Sequence, residues 1–461
     1  VGFVDTRLAS GLGMAETDAI GAASYIQWFF GLTIMALGIG ATAMIARAVG
    51  KGRLAVANAA VGQMLVLQVI AGSFVAFGAI MMAPVVASLM SLEGQGREAF
   101  IAYLRITSLG IPITGVLFGG IACVRGAGDS KGPLLVMMLV NAINVVLSFV
   151  LSGVDISRTT FDEAGVPVTT TIIRNPFTFE LGITGIALGT IGAQLVGAAA
   201  IIWLLRRGVG GVRLRTRRLK LHMHTSRRLV RLGLPNFLET LGMWSGNFLV
   251  VLMVGAVGSG ALGAHIIAIR AEAFSFLPGF AMGMAAASLA GQFLGAGSPE
   301  LARKAVWRCA MVAVVLMGLI GVVFITLPRL VVSIFSEQPE HLITAPPLLV
   351  ICGVVQVPFA LAIVFRQAMR GAGDVRMALL LTTITTYLVR LPACFLLSGV
   401  DLTFTIQTAP GEVQRFTIID SPFFDEPSLT RLWIAMCGEL VIRAMLFSWR
   451  YFQGGWTRQK V

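Results

Sequence analysis

Apolar stretches about as long as a lipid bilayer is thick recur along the whole chain. The segments Pro133 to Leu151 and Leu349 to Phe365 are two examples, and a membrane-spanning helix needs about 20 such residues. Only 12% of the 461 residues are charged, which is about half the share found in soluble domains. Mean hydropathy is +0.86. These features exclude a soluble enzyme and predict an all-α polytopic membrane protein.

The chain contains an internal duplication. The string RGAGD at Arg125–Asp129 recurs at Arg370–Asp374, 245 positions later, and the string SGVD at Ser152–Asp155 recurs at Ser398–Asp401, 246 positions later. A nearly constant offset indicates two homologous halves. The glycines of RGAGD permit a tight turn at the end of a helix, and we expect its Arg and Asp to stabilise that turn with charge-assisted hydrogen bonds.

Eleven complete membrane spans follow from the apolar pattern. The repeat offset adds a twelfth, because Val1–Ala9 corresponds to the second part of a first helix of which about 20 residues are absent. The sequence therefore predicts twelve transmembrane helices in two pseudo-symmetric six-helix bundles, with the first helix truncated. An even number of helices in each half makes the halves parallel repeats, and substrate sites of such proteins lie in the cleft between halves. The predicted helix cores are Ser24–Ala46, Ala57–Met82, Ala99–Ile121, Pro133–Leu151, Leu181–Leu205, Leu229–Val254, His265–Leu289, Ala305–Leu327, Pro347–Ala368, Ala378–Leu397 and Leu429–Phe447.

Charge in the loops predicts the domain boundaries and the orientation. Residues 1–205 form the N-terminal bundle, 206–228 a basic linker and 229–461 the C-terminal bundle. The segment from Arg206 to Arg231 holds ten basic residues and no acidic one, so we expect it on the cytoplasmic side of the cell (inner) membrane. This pattern explains the net charge of +13 without a nucleic-acid partner. Two long acidic loops on the opposite side each predict a short β-hairpin, around Val166–Ile173 and Leu402–Gln407.

Several motifs, in a fixed order along the chain, resemble the multidrug and toxic compound extrusion (MATE) family. They are Phe274–Phe280 (FSFLPGF), Gly291–Gly297 (GQFLGAG), Val4–Thr6, Gly233–Pro235 and the paired RGAGD turns. The resemblance implies twelve-helix exporters with an inverted-V arrangement of two bundles, which exchange organic, mostly cationic, compounds for Na⁺ or H⁺. The two long outer loops depart from the compact pattern of that family.

Asp5 is the leading candidate for ion coupling, because a charge within hydrocarbon costs several kcal/mol and is retained mainly for function. Its position matches the acid in the first helix with which the family binds the coupling cation. Its predicted companions are Asn141 and Asn144, which lie three residues apart on one helix face, and Thr190. The alternatives are a hydrated Asp5 near the outer end of its helix and asparagines that only join helices. Ser148 stands where many relatives carry Asp or Asn, which leaves Na⁺ and H⁺ both open.

Glu239 and Glu272 are the candidates for binding a cationic substrate, since both lie within apolar helices. Glu272 is two residues from Arg270, so a structural pair is the alternative for it. Glu439 and Arg443 have the i,i+4 spacing of a structural salt bridge within one helix. Five scattered cysteines do not predict a disulfide framework or a metal site.

Together these features predict a secondary active antiporter, not an enzyme, that exports organic cations or amphipathic drugs in exchange for H⁺ or Na⁺ by alternating access. We expect no cofactor, no metal except Na⁺ at Asp5, and a monomer in contact with membrane lipid. The alternative is a flippase for a lipid-linked precursor, which should have a strongly cationic cavity. The ionisable residues picked out within the helices are mainly acidic, which favours drug export. A receptor or channel is a third class, and the duplicated halves argue against it.

Overall fold

The structure is a computed structural model. It describes residues 5, 8, 11–12, 14–90, 94–161, 167–177, 179, 181–258, 260–336, 338–409, 412–420, 423–424 and 426–459. The chain divides into two compact units, Val1–Gly233 and Leu234–Val461. The division falls inside one long helix, so the basic linker and the first residues of that helix belong to the first unit.

Long helices make up most of both units. Asp5 and Leu8 are helical and precede the first complete helix. The helices of the first unit are α1 (Met14–Gly50), α2 (Leu54–Leu89), α3 (Gly94–Leu109), α4 (Ile111–Gly126), α5 (Lys131–Ser152) and α6 (Gly182–Arg207), and α7 (Met223–Val257) crosses the division. The second unit continues with α8 (Ala261–Gly295), α9 (Pro299–Thr326), α10 (Pro328–Ser333), α11 (Pro339–Thr344), α12 (Pro346–Val354), α13 (Gln356–Ala372), α14 (Val375–Thr383), α15 (Leu391–Ser398) and α16 (Leu429–Gln453).

Within the described residues, nine helices are long and apolar enough to cross a membrane, and eleven spans result when two bent pairs are counted as one span each. The polytopic helical fold is therefore confirmed. The span predicted over Ala99–Ile121 corresponds to two helices, α3 and α4, which are bent by 47° relative to each other. Pro112 lies in the first turn of α4, and proline cannot donate the hydrogen bond that would continue the helix. The second bent pair, ending in α13, has an angle of 58°.

Small residues bring α5 and α6 into close contact in the first unit. A Cβ atom added to Gly189 would lie 2.6 Å from the backbone nitrogen of Ser148, so only glycine permits this approach. The apolar core beside this helix pair includes Ile20, Phe100 and Tyr103. The contact places the polar residues of α5 and α6 next to each other inside an apolar unit.

In the second unit, a π-helical segment (Ile384–Arg390) continues α14 into α15. Such segments widen the helix by one residue per turn and often occur at functional sites. Here Thr385, Thr386 and Arg390 are all buried. The wider turn thus turns three polar side chains of one short segment towards the interior.

Two antiparallel β-hairpins follow α5 and α15, at equivalent places in the duplicated chain. Ile156–Phe161 pairs with Pro167–Ile173, and Leu402–Ala409 pairs with Glu412–Ile419. The hairpins predicted in the two long loops are confirmed.

Candidate functional site

The first site is a buried polar cluster around Asp5. The Thr190 hydroxyl donates to Asp5 Oδ2 at 3.0 Å, and Asn144 Nδ2 donates to Thr190 Oγ1 at 3.0 Å and to Ser148 Oγ at 3.2 Å. All four side chains are buried. The structure therefore brings together three residues predicted for ion coupling, Asp5, Asn144 and Thr190, and adds Ser148.

The helix geometry explains which asparagine joins the cluster. Asn144 and Ser148 are four residues apart on α5 and share the face that packs against α6. Asn141 lies three residues earlier and has an exposed side chain, outside the cluster described around Asp5. Of the predicted pair, Asn144 is the residue that the described contacts join to Asp5 through Thr190, with Ser148 beside it, and the coupling role of Asn141 stays a prediction.

Two oxygen atoms of this cluster lack a hydrogen-bond partner among the described residues. They are Asp5 Oδ1 and Asn144 Oδ1, both buried. A buried acceptor without a donor costs about 1–3 kcal/mol. A proton on the carboxylate or a small hard cation between oxygens would remove this cost, and carboxylate, amide and hydroxyl oxygens are ligands of such cations. The cluster therefore fits Na⁺ or H⁺.

Asp5 and Thr190 also line a cavity of about 370 Å³ in the first unit. Phe30, Met35 and Phe118 give its wall an apolar surface, and Gln27 and Gln194 add amide groups. Cavities of this size with apolar walls and a few polar groups are typical of small-molecule sites. The polar cluster around Asp5 thus forms part of the wall of a cavity that is large enough for a small organic molecule.

Glu239 lies in an ion pair in the second unit. Its Oε2 accepts from Arg370 Nε at 3.1 Å and from Arg370 Nη2 at 2.8 Å, its Oε1 accepts from Thr382 Oγ1 at 2.8 Å, and Arg366 Nη1 is 3.9 Å away. Both oxygens are therefore occupied. The assignment of Glu239 to a cationic substrate stays a prediction, and the geometry gives it no free carboxylate.

A second buried pair centres on Glu439. Arg443 Nε donates to Oε1 at 2.7 Å and Arg390 Nη2 to Oε2 at 2.7 Å, so the predicted helical pair is confirmed and Arg390 joins it. The π-helical segment supplies Thr385 and Thr386, which accept hydrogen bonds from Arg443. A chain of polar contacts thus joins the segment to α16.

Glu272, the other substrate candidate, is half-buried on α8. No ion pair joins it to Arg270 among the described residues, so the structure does not show the alternative structural pair. Glu272 is not part of the Glu239 contacts given above, and its substrate role stays a prediction.

The expectation that the ionisable residues within the helices are mainly acidic is wrong. Within the described residues, the buried ionisable side chains of the second unit are not mainly acidic, since four arginines (Arg366, Arg370, Arg390 and Arg443) accompany Glu239, Asp374 and Glu439. Arg366 lies inside the apolar segment predicted as Pro347–Ala368, and a basic residue there was a signal that could have found this cluster.

The second RGAGD turn is also stabilised differently from the prediction. Arg370 does not bind Asp374. Arg450 does, with Nε and Nη2 at 3.0 and 2.8 Å from Asp374 Oδ2. Helical side chains point towards the helix N-terminus, which directs Arg370 away from the turn and into the interior. In the first turn, Asp129 accepts from the backbone N–H groups of Lys131 and Gly132.

The fold defines a multi-pass helical membrane protein, and buried polar clusters lie inside each of its two units. A sequence profile of the MatE family matches residues 1–150 and 235–396, more than half of the chain. The chain belongs to this family, and the resemblance seen in its motifs is confirmed.

Individual proteins agree with this assignment. The probable multidrug resistance protein NorM of Thermotoga maritima is 22% identical over 463 residues, covering 100% of this chain and 89% of the relative. The multidrug resistance protein NorM of Burkholderia vietnamiensis is 34% identical over 214 residues, covering 44% of this chain and 45% of the relative. A crystal structure of MATE in the bent conformation matches with a TM-score of 0.82 and 20% identity, covering 99% of this chain and 91% of that one.

Proposed function

We propose that the chain is a secondary active antiporter that exports organic cations or amphipathic drugs in exchange for H⁺ or Na⁺ by alternating access. Relatives named as multidrug resistance proteins support the drug-export part of this proposal. They favour it over a flippase for a lipid-linked precursor. In the cell (inner) membrane, the basic linker would face the cytoplasm.

The observation that carries the proposal is the shared position of Asp5. Its carboxylate belongs to the cluster with Thr190 and Asn144 and also lines the cavity. When a proton or Na⁺ neutralises it, the cluster is satisfied internally. When it is ionised, it attracts water or a cationic drug into the cavity. Ion and drug therefore stabilise different states of one site.

Because ion and drug stabilise different states of this site, the binding of one affects the binding of the other, and this linkage produces antiport. A ligand shifts a conformational equilibrium only by its difference in affinity for the two states, and two ligands that favour opposite states weaken each other's binding reciprocally. Ion entry driven by its gradient would then displace drug. The apolar and aromatic wall formed by Phe30, Met35 and Phe118 suits flat amphipathic compounds, and thioether side chains adapt to varied shapes.

Proteoliposomes with separately imposed Na⁺ and H⁺ gradients test the proposal, with a cationic dye as substrate. Wild-type protein should move dye against its gradient under one of the two. Asp5→Asn should reduce gradient-driven movement at least about tenfold, within the usual range of coupling between linked sites, and should bind the dye more weakly than wild-type protein, because the ionised carboxylate that attracts the dye is gone.

Asp129→Asn is the matched control. It makes the same acid-to-amide change at the residue before the N-cap of α5, where the Asn amide oxygen can accept the same backbone hydrogen bonds from Lys131 and Gly132, and should transport normally. If Asp5→Asn pumps dye at the wild-type rate under either gradient, ion coupling does not pass through Asp5.

A further inference from the structure

The buried charges of the second unit do not balance. Glu239 and Glu439 share the interior with four arginines that are each at most 9% exposed. The buried Asp374 pairs with a fifth arginine, Arg450, and counting the half-buried Glu272 as a further acid still leaves one positive charge in excess among the described residues. Because burial of a charge is strongly unfavourable without a partner, the unbalanced arginine marks a place where a negative group is missing.

Contacts identify that arginine as Arg366. Arg370 donates to the Glu239 carboxylate, and Arg390 and Arg443 donate to the Glu439 carboxylate. Arg366 has no hydrogen bond to a carboxylate among the described residues; its Nη1 lies 3.9 Å from Glu239 Oε1, beyond hydrogen-bond distance of a carboxylate that Arg370 and Thr382 already bind. Its Nη1 donates to the Met243 sulfur at 3.0 Å, a weak acceptor, and its buried Nε has no partner in the described part of the chain.

The pattern along α7 explains why Arg366 is left over. Glu239, Met243 and Asn247 recur every four residues on one helix face, and they contact Arg370, Arg366 and Arg390 respectively. The middle position of this row is an uncharged thioether. Arg366 also lies four residues from Arg370 on α13, a spacing at which like charges repel.

We propose that Arg366 forms an anion-binding subsite that takes the carboxylate of a zwitterionic or anionic amphipathic substrate. A guanidinium presents a planar row of donors that matches the two oxygens of a carboxylate, and the unused Nε supplies one of these donors. The subsite rests on the proposed export function, and Arg366 is the residue that would recognise the acidic end of a substrate.

Two dyes that differ in a single group test the subsite. Rhodamine 110 carries a cationic ring system and a free carboxylate, and rhodamine 123 is its methyl ester. Binding of each dye to purified protein is measured by fluorescence anisotropy without any gradient. Arg366→Gln should weaken rhodamine 110 at least about tenfold, as expected for loss of a charge-assisted pair, and should change rhodamine 123 less than about threefold.

Three further variants make the result specific. Arg376→Gln removes the same charge from an exposed arginine of α14 and should leave the ratio of the two affinities unchanged. Arg366→Lys keeps the charge without the planar donor row and should give an intermediate loss. Met243→Glu should occupy the guanidinium from within and weaken rhodamine 110 selectively, which tests the subsite even if Arg366→Gln does not fold.

Equal changes for the two dyes in both Arg366→Gln and Met243→Glu would overturn the proposal. If the dyes respond equally and replacement of chloride by gluconate affects only wild-type protein, Arg366 binds a small inorganic anion and the substrate assignment is wrong. The outcome is separable from the coupling hypothesis. Selective loss of rhodamine 110 together with normal transport by Asp5→Asn supports the subsite and refutes the coupling role of Asp5.

Discussion

Gln63→Leu should release the basic linker from the first unit. Gln63 lies on α2 with a fully buried side chain. Its Nε2 donates to the carbonyl oxygens of Arg218 and Lys220 at 2.9 and 2.7 Å, and its Oε1 accepts from the His222 backbone N–H and the Ser226 hydroxyl at 2.8 and 2.9 Å. Four hydrogen bonds at about 1 kcal/mol each give an upper bound of about 4 kcal/mol. Water can satisfy part of the released linker, so we expect about 2–4 kcal/mol.

Limited trypsin digestion of the detergent-solubilised protein measures this release, since the linker is rich in arginine and lysine. When opening is fast relative to cleavage, the cleavage rate follows the open population, so 2 kcal/mol corresponds to about a 30-fold faster cut. Gln95→Leu is the control, because Gln95 is exposed and makes one long hydrogen bond, 3.5 Å to Glu16. A Gln63→Leu rate within about twofold of wild type would refute the reasoning that these bonds hold the linker in place.

Three other changes have defined outcomes. Glu439→Gln leaves two buried arginines without their carboxylate and should lower the free energy of unfolding by about 3–5 kcal/mol, seen as a lower thermal midpoint; an unchanged midpoint would contradict the buried pair. Gly189→Ala forces a Cβ to within 2.6 Å of Ser148 and should cost about 1–3 kcal/mol, whereas Gly31→Ala, with no neighbour within 4 Å, should be tolerated; equal midpoints would contradict the close packing. Arg217→Cys in the linker should react with a membrane-impermeant thiol reagent only after cell lysis, and the five buried native cysteines should give a low background. Labelling in intact cells would contradict the predicted orientation.

The positions of the spans follow from the sequence because lipid requires long apolar helices with satisfied backbones. The predicted core Pro133–Leu151 differs from α5 by only a few residues. The bend between α3 and α4 could not be predicted in this way. Both segments are apolar, and hydropathy carries no information about a change in helix direction. The proline at this bend is visible in the sequence, but proline also occurs inside continuous helices of this chain, as Pro84 does in α2.

Part of the candidate site could also be predicted from the sequence, and part could not. Asp5 and Asn144 could be predicted because polar groups are conspicuous in apolar helices. The partner of Glu239 could not, since Arg370 lies 131 positions later and no local spacing links them. The RGAGD string misled for a related reason: it suggested that Arg370 and Asp374 pair with each other, whereas each binds a residue far away in the chain.

The dependence of drug binding on ion concentration tests the central claim most directly. Dye affinity of purified protein is measured over a range of Na⁺ concentration at fixed pH, and over a range of pH without Na⁺. If Asp5 binds ion and drug exclusively, one of the two ions should weaken dye binding progressively, up to about tenfold per tenfold rise in ion at full competition, and Asp5→Asn should abolish this dependence. A wild-type dye affinity that is constant across both titrations would contradict the coupling of ion and drug at Asp5.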